Sequence, residues 1–125
     1  MSTTTASELY PEVKAFLEEG TLKGVVGGKE IESAGGETFV TSDPGSGKQL
    51  AEVFSFQPGD IDMAVDVADA AFRKTGWAEM PQNERSALLH RLADAVEKHK
   101  PMIAQLEALD AGKIEAQAQG DVQNF

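Results

Sequence analysis

Short β-forming runs followed by long helical periodicity predict an α+β succession, β-hairpins first and helices after them. Two observations carry this. Between Leu22 and Phe54, β-formers alternate with Gly27-Gly28, Gly35-Gly36 and Asp43-Pro44-Gly45 turn signals. From Pro58 onward, apolar residues recur at three- and four-residue spacing, punctuated by Gly76, Pro101 and Gly112.

A short amphipathic helix precedes the hairpins. Leu9, Val13, Phe16 and Leu17 share a face, Ser7 offers an N-cap oxygen, and Gly20 stands where a left-handed C-cap belongs. The pattern predicts a helix over Ser7 to Glu19. Gly27-Gly28 suits a primed two-residue turn between Leu22-Val26 and Ile31. A second hairpin joins Thr38-Thr41 to Leu50-Phe54. In its turn Pro44 presets the first corner and Gly45 is expected to take positive φ at the second.

Pro58 at a first helical position, with Asp60 in the first turn, opens a helix that should end near Lys74. Its apolar stripe is Ile61, Ala64, Val65, Ala68, Ala71 and Phe72. Asp62, Asp66 and Asp69 lie off the stripe and read as a solvated face. Trp77 falls in a loop. A further helix starts near Pro81, carries Leu88, Leu89, Leu92, Ala93 and Val96, and is expected to break near His99 because of Pro101. The stripe resumes with Ile103, Leu106 and Leu109 and stops at Gly112. Ile114 to Phe125 is helical again. The periodic pattern runs to Phe125 with no capping signal, so the sequence stops in the middle of a periodic pattern.

The chain has 125 residues, 41% hydrophobic and 26% charged, with a formal net charge of −10. That size bounds it to one small domain with a modest core. The acidity excludes phosphate-backbone binding and docking on anionic lipid, so neither nucleic acid nor a membrane surface is an expected partner. Met1 to Ser7 carry no basic region and no apolar run follows, which argues against a secretory signal. The cytoplasm is the expected compartment. No cysteine occurs, which removes thiolate nucleophiles, disulfides and thiolate metal sites.

Gly45-Ser46-Gly47-Lys48 invites a phosphate-loop reading. The Walker pattern needs Gly at position 42 and Ser or Thr at 49, where Ser42 and Gln49 stand. The loop also leads into a strand, so no helix dipole faces an anion. No Gly-x-Gly-x-x-Gly opens a helix. His90 and His99 read as surface or interface residues. Asp110 opposes the dipole of its own helix end. It is either a turn-former or is compensated by Lys113, a backbone N–H or a bound cation.

Several stretches together resemble the NAD(P)-dependent aldehyde dehydrogenases, over Leu22 to the final residue. Thr41-Ser42-Asp43-Pro44-Gly45-Ser46-Gly47-Lys48 with Leu50-Ala51-Glu52-Val53 is similar to the family's Asn-Pro-x-Thr-Gly-x and following strand. Asp60 to Val65, Ala70-Ala71-Phe72 and Trp77 resemble its first long helix. Glu84-Arg85, Leu88 to Asp94 and Leu106 to Lys113 resemble its second helical region. Asp43 replaces the usual Asn, Ser46 the usual Thr, and Ile114 the usual Pro.

The resemblance implies an α/β fold: leading β-hairpins and first helices of an incomplete doubly wound cofactor-binding domain. Residues 1–21 would be an N-terminal extension and 22–125 the leading part of that domain. Family members oxidise an aldehyde to an acid through a Cys thiolate, a hydride transfer to NAD or NADP, and a Glu-activated water. Those residues would lie elsewhere, so no catalytic or cofactor-binding residue is assigned here. The chain is expected to be inactive alone. The partners implied are the remainder of the dehydrogenase chain or a homo-oligomer, with an aldehyde substrate. A site for K⁺ or Na⁺ is implied at Thr41, Ser42 and Asp110, since carbonyl and carboxylate oxygens suit such ions. The alternative is a self-standing, non-catalytic interaction or regulatory module.

Overall fold

A computed structural model describes residues 8–124. The element order is α1 (Pro11–Glu18), β1 (Gly24–Val26), β2 (Lys29–Ile31), β3 (Thr38–Ser42), β4 (Gln49–Phe54), α2 (Pro58–Lys74), α3 (Gln82–Ala111) and α4 (Glu115–Gln123). The expected order of hairpins then helices holds. Two compact units divide the chain. Among the described residues, one comprises 8–19, 42–50 and 93–124; the other comprises 20–41 and 51–92.

In the second unit, β1 and β2 pair antiparallel, with Val26 opposite Lys29. Gly27 and Gly28 both take positive φ, 59° and 76°, as a primed turn requires. The outer edge of β4 is extended by Leu22, which bridges Val53 in parallel. Leu22 donates its N–H to the Glu52 carbonyl at 2.8 Å and accepts from Phe54 at 3.1 Å. Ala51 is the buried apolar residue of this unit.

α2 begins at Pro58 and ends at Lys74, as its sequence predicts. Its start is set by Asp60. That carboxylate accepts the Gln57 N–H at 2.9 Å, the Ala34 N–H at 3.3 Å and the Ser33 hydroxyl at 3.2 Å. Asp60 and Ser33 are both buried. The hydrogen bonds hold the Asp60 carboxyl below the usual carboxylate range, the Gln57 N–H most strongly, although burial acts the other way. The helix packs on the first hairpin by a side other than the expected stripe: a Val67 methyl lies 3.2 Å from where a Cβ on Gly27 would stand. Ile61, Val65, Ala68, Ala71 and Phe72 are exposed. The hairpin's strands are three residues each and too short to cover both sides of the helix.

The first unit holds α1, the tip of the β3–β4 hairpin, most of α3 and α4. Its core is Val13, Ala104 and Ala118, all fully buried. α1 starts at Pro11, four residues later than Ser7, and the Ser7 cap lies outside the described residues. Pro11 presets the first helical position and forces Tyr10 into extended backbone, with ψ 145°. Gln105 is buried and ties the chain ahead of α1 to α3. Its side-chain oxygen accepts the Tyr10 N–H at 2.7 Å, and its amide donates to the Glu8 carbonyl at 3.4 Å. The Tyr10 hydroxyl donates to Glu115 at 2.7 Å.

Two expectations fail here. Pro101 does not break the helix, since α3 runs continuously for 30 residues. Proline removes the donor for the Glu97 carbonyl, but Glu97 is exposed, so water can serve that carbonyl. Burial of Ala104 and Gln105 just beyond it favours continuing the helix. In the hairpin turn, Gly47 rather than Gly45 takes positive φ, 70°. Asp43 accepts the Gly45 N–H at 2.8 Å and the Ser46 hydroxyl at 2.5 Å. These bonds wind the loop as one helix-like turn, closed by Gly47 N–H to the Asp43 carbonyl at 2.7 Å. The reversal of hand is postponed to Gly47.

Gly112 ends α3 at φ 66°, and a Cβ there would stand 2.8 Å from the Pro44 ring. Gly112→Ala should therefore cost more than the about 1–2 kcal/mol of left-handed strain alone. Gly28→Ala, also at positive φ but in open space, should cost only that strain. Equal losses in urea melts would refute the Pro44 contact.

The lowered Asp60 value makes a second prediction. A depressed carboxyl contributes stability that is complete above its unfolded value and is lost as pH falls through its folded value. Asp60→Asn should therefore lower stability near neutrality, and its deficit should shrink on acidification below about pH 4. Thermal melts of both proteins across that range test it; a deficit independent of pH would refute it.

Candidate functional site

Two places that could hold an anionic group, the Gly-rich turn and the start of α2, are filled by the chain's own carboxylates. In the Gly-rich turn, Asp43 takes the Gly45 N–H and the Ser46 hydroxyl. The Ser46 hydroxyl and the Gly45 N–H, in that order, hold the Asp43 carboxyl low, so it is charged at neutral pH. At the α2 N-terminus, Asp60 takes the Gln57 N–H. A dinucleotide pyrophosphate would meet negative charge in both places. The residues at these two places do not fit the phosphate-binding part of NAD.

Thr41 and Ser42 end β3, and Asp110 lies in the last turn of α3. Ser42 and Asp110 belong to one compact unit and Thr41 to the other. Within the first unit, the Pro44 ring against Gly112 brings the segment after Ser42 alongside the segment after Asp110. Both Ser42 and Asp110 are exposed. Among the described residues no cluster of three or more His, Asp or Glu side chains could hold a metal ion. His90 and His99 are exposed on α3, as expected.

Lys113 does not compensate Asp110. Its ammonium bridges Glu107 at 2.5 Å and Asp121 at 3.1 Å, joining the end of α3 to α4. Hydrogen bonds to Glu107 and then Asp121 raise its pKa, so it stays protonated and is no amine nucleophile at neutral pH. Glu107 and Asp121 also border an open apolar cleft of about 300 Å³ with Val96, Ile103 and Val122. Both of these carboxylates are engaged by the one lysine. The chain contains no cysteine to act as nucleophile.

Sequence reasoning noted Asp60 only as a first-turn carboxylate and did not single out Ser33 or Gln105. Asp60 stands three residues after the N-cap, the position from which an acidic side chain reaches back to the cap N–H. Gln105 is the polar residue inside Met102-Ile103-Ala104-Gln105-Leu106. Its signal was a lone amide in an apolar run.

The Aldehyde dehydrogenase family profile matches residues 31–125. Mitochondrial benzaldehyde dehydrogenase of Antirrhinum majus is 39% identical over 111 residues, 89% of this chain and 21% of that protein. Mitochondrial aldehyde dehydrogenase family 2 member B4 of Arabidopsis thaliana is 43% identical over 89 residues, 71% of this chain and 16% of that protein. The NAD⁺ complex of an aldehyde dehydrogenase from Bacillus cereus superposes with a TM-score of 0.84 at 45% identity. That match covers 91% of this chain and 23% of the enzyme. The chain thus spans less than a quarter of the length of each of these relatives. Its two hairpins and first helices are those of the N-terminal portion of an α/β dehydrogenase domain. The chain belongs to the aldehyde dehydrogenase family.

Proposed function

We propose that this chain serves as the N-terminal segment of an NAD(P)-dependent enzyme that oxidises an aldehyde to a carboxylic acid, and that it is not catalytic by itself. The observation that carries the reading is the superposition of nine-tenths of the chain on part of an NAD⁺-bound dehydrogenase. The absence of cysteine supports the second half. A thiolate that attacks the aldehyde carbonyl must come from residues other than these. What this chain supplies is scaffold: the hairpins, α2 set by Asp60, and α3 with α4 tied by Lys113. Residues 1–21 then form an extension with α1, and 22–125 the leading part of the cofactor domain. The remainder of the dehydrogenase chain, or a homo-oligomer, is the partner, and the cytoplasm the compartment. A self-standing regulatory module is not favoured, because the relatives it matches are enzymes.

A site for K⁺ or Na⁺ at Thr41, Ser42 and Asp110 belongs to the same reading. Its support is donor chemistry. Carbonyl and carboxylate oxygens suit these ions, and Asp110 has no ion pair among the described residues. The C-terminal dipole of α3 adds negative potential there.

The purified chain should form no NADH from an aldehyde and NAD⁺. A chimera in which it replaces the matching quarter of the Bacillus cereus enzyme should be soluble and form NADH. Activity of the isolated chain, or an insoluble or inactive chimera, would overturn the proposal. In that chimera, exchanging K⁺ and Na⁺ for choline should lower the melting midpoint, and Asp110→Asn should abolish the difference. Identical melts in all three salts would remove the cation site.

A further inference from the structure

We propose that α1 is a releasable strap, latched onto α3 and α4 by the Tyr10 hydroxyl, and that loss of the hydroxyl proton opens the latch while the other helices stay folded. α1 is eight residues long, too short to hold its helix without packing. That packing is narrow. Val13 is its one buried residue, fully covered like Ala104 of α3 and Ala118 of α4. The remaining hold is polar and sits at the start of the helix. Gln105 of α3 takes the Tyr10 N–H and donates to the Glu8 carbonyl, and Glu115 of α4 takes the Tyr10 hydroxyl proton at 2.7 Å. After α1, Glu19 is the last residue of this compact unit and Gly20 the first of the other. Gly20 stands at φ 102° with open space around it, so the backbone can turn there without steric cost.

The hydroxyl is the proton-dependent part of this hold. Glu115 is the charged group that acts on it. The hydrogen bond to Glu115 first, the charge of Glu115 next and burial last raise the Tyr10 phenol above its ordinary value. From α3, Tyr10 meets the neutral amide of Gln105. Its own segment carries Glu8, Glu12 and Lys14, and Lys14 pairs with Glu18 at 3.9 Å. Lys113, two residues before Glu115, is spent on Glu107 and Asp121. Among the described residues no cation pairs with Glu115. A phenolate in place of the hydroxyl would therefore face a bare carboxylate, and a donated bond would turn into a repulsion. The sign follows. A phenol raised in the folded chain contributes stability that is complete below its unfolded value and is lost as pH rises through its folded value.

The chain has one tyrosine and no cysteine, so Val13→Cys in the full chain places a single thiol under the strap. At about pH 8 an alkylating reagent should modify it slowly. Adding Tyr10→Phe should speed that labelling about tenfold, the equilibrium factor for one bond to a charged group. Above about pH 10, where phenols titrate, labelling should accelerate with Tyr10 and stay level with Phe. The helical circular dichroism of α2, α3 and α4 should persist through that acceleration. Phenolate absorbance should rise in step with it, and at lower pH in Glu115→Gln, which keeps an acceptor and removes the charge. Labelling as slow with Phe as with Tyr, or no acceleration as the phenol titrates, overturns the latch. Rapid labelling at about pH 8 with Tyr10 in place, or acceleration that coincides with loss of the helical signal, overturns the strap.

Discussion

Among the described residues the buried apolar side chains are Val13, Ala51, Ala104 and Ala118, and three of them are alanines. Helices of 17 and 30 residues need far more covering surface than that. Two hairpins with strands of three to six residues cannot provide it. The consequence runs through the whole molecule. Apolar ridges that their sequences mark for burial stand open, and helix positions are held by a few polar anchors in place of a wide core. Burial, the dominant favourable contribution to folding, is therefore small for a chain of this length.

The anchors differ in kind. Asp60 satisfies donors from the loop at Ser33-Ala34 and from the start of α2, so one carboxylate fixes where that helix begins and what lies beside it. Gln105 does the same between α3 and the backbone ahead of α1. Lys113 joins α3 to α4 through two carboxylates. The first two are buried or nearly so, where an unpartnered polar group is costly, which makes them specific as well as stabilising. The exposed Lys113 pairs contribute less.

Two of the carboxylates in this chain also occupy donors that could otherwise face a phosphate. A turn such as Gly45-Ser46-Gly47 and a helix start such as Pro58-Gly59-Asp60 are the local shapes that hold phosphate elsewhere. Here each is closed by an internal acid.

Local rules made much of this legible. Gly27-Gly28 specified its turn because only glycine takes positive φ twice without strain, and Pro58 with Asp60 specified the start of α2. The order of motifs from Thr41-Ser42-Asp43-Pro44 to Leu109-Asp110-Ala111-Gly112-Lys113 carried the family, and the comparisons bear it out. Rules that depend on competition between neighbours failed. Pro11 moved the start of α1, the Asp43 side chain moved the positive φ from Gly45 to Gly47, and packing around Ala104 carried α3 through Pro101.

Sequence by itself thus determined the order of hairpins and helices, the family and the absence of a thiol, because these follow from residue type and local spacing. Tertiary structure alone decided that Asp60 and Gln105 are the anchors and that Lys113 turns to Glu107 and Asp121. It also decided which face of α2 meets a hairpin and which stays open. Those outcomes depend on which groups distant in the chain come within reach of one another, and an apolar stripe encodes the need for cover without encoding the partner.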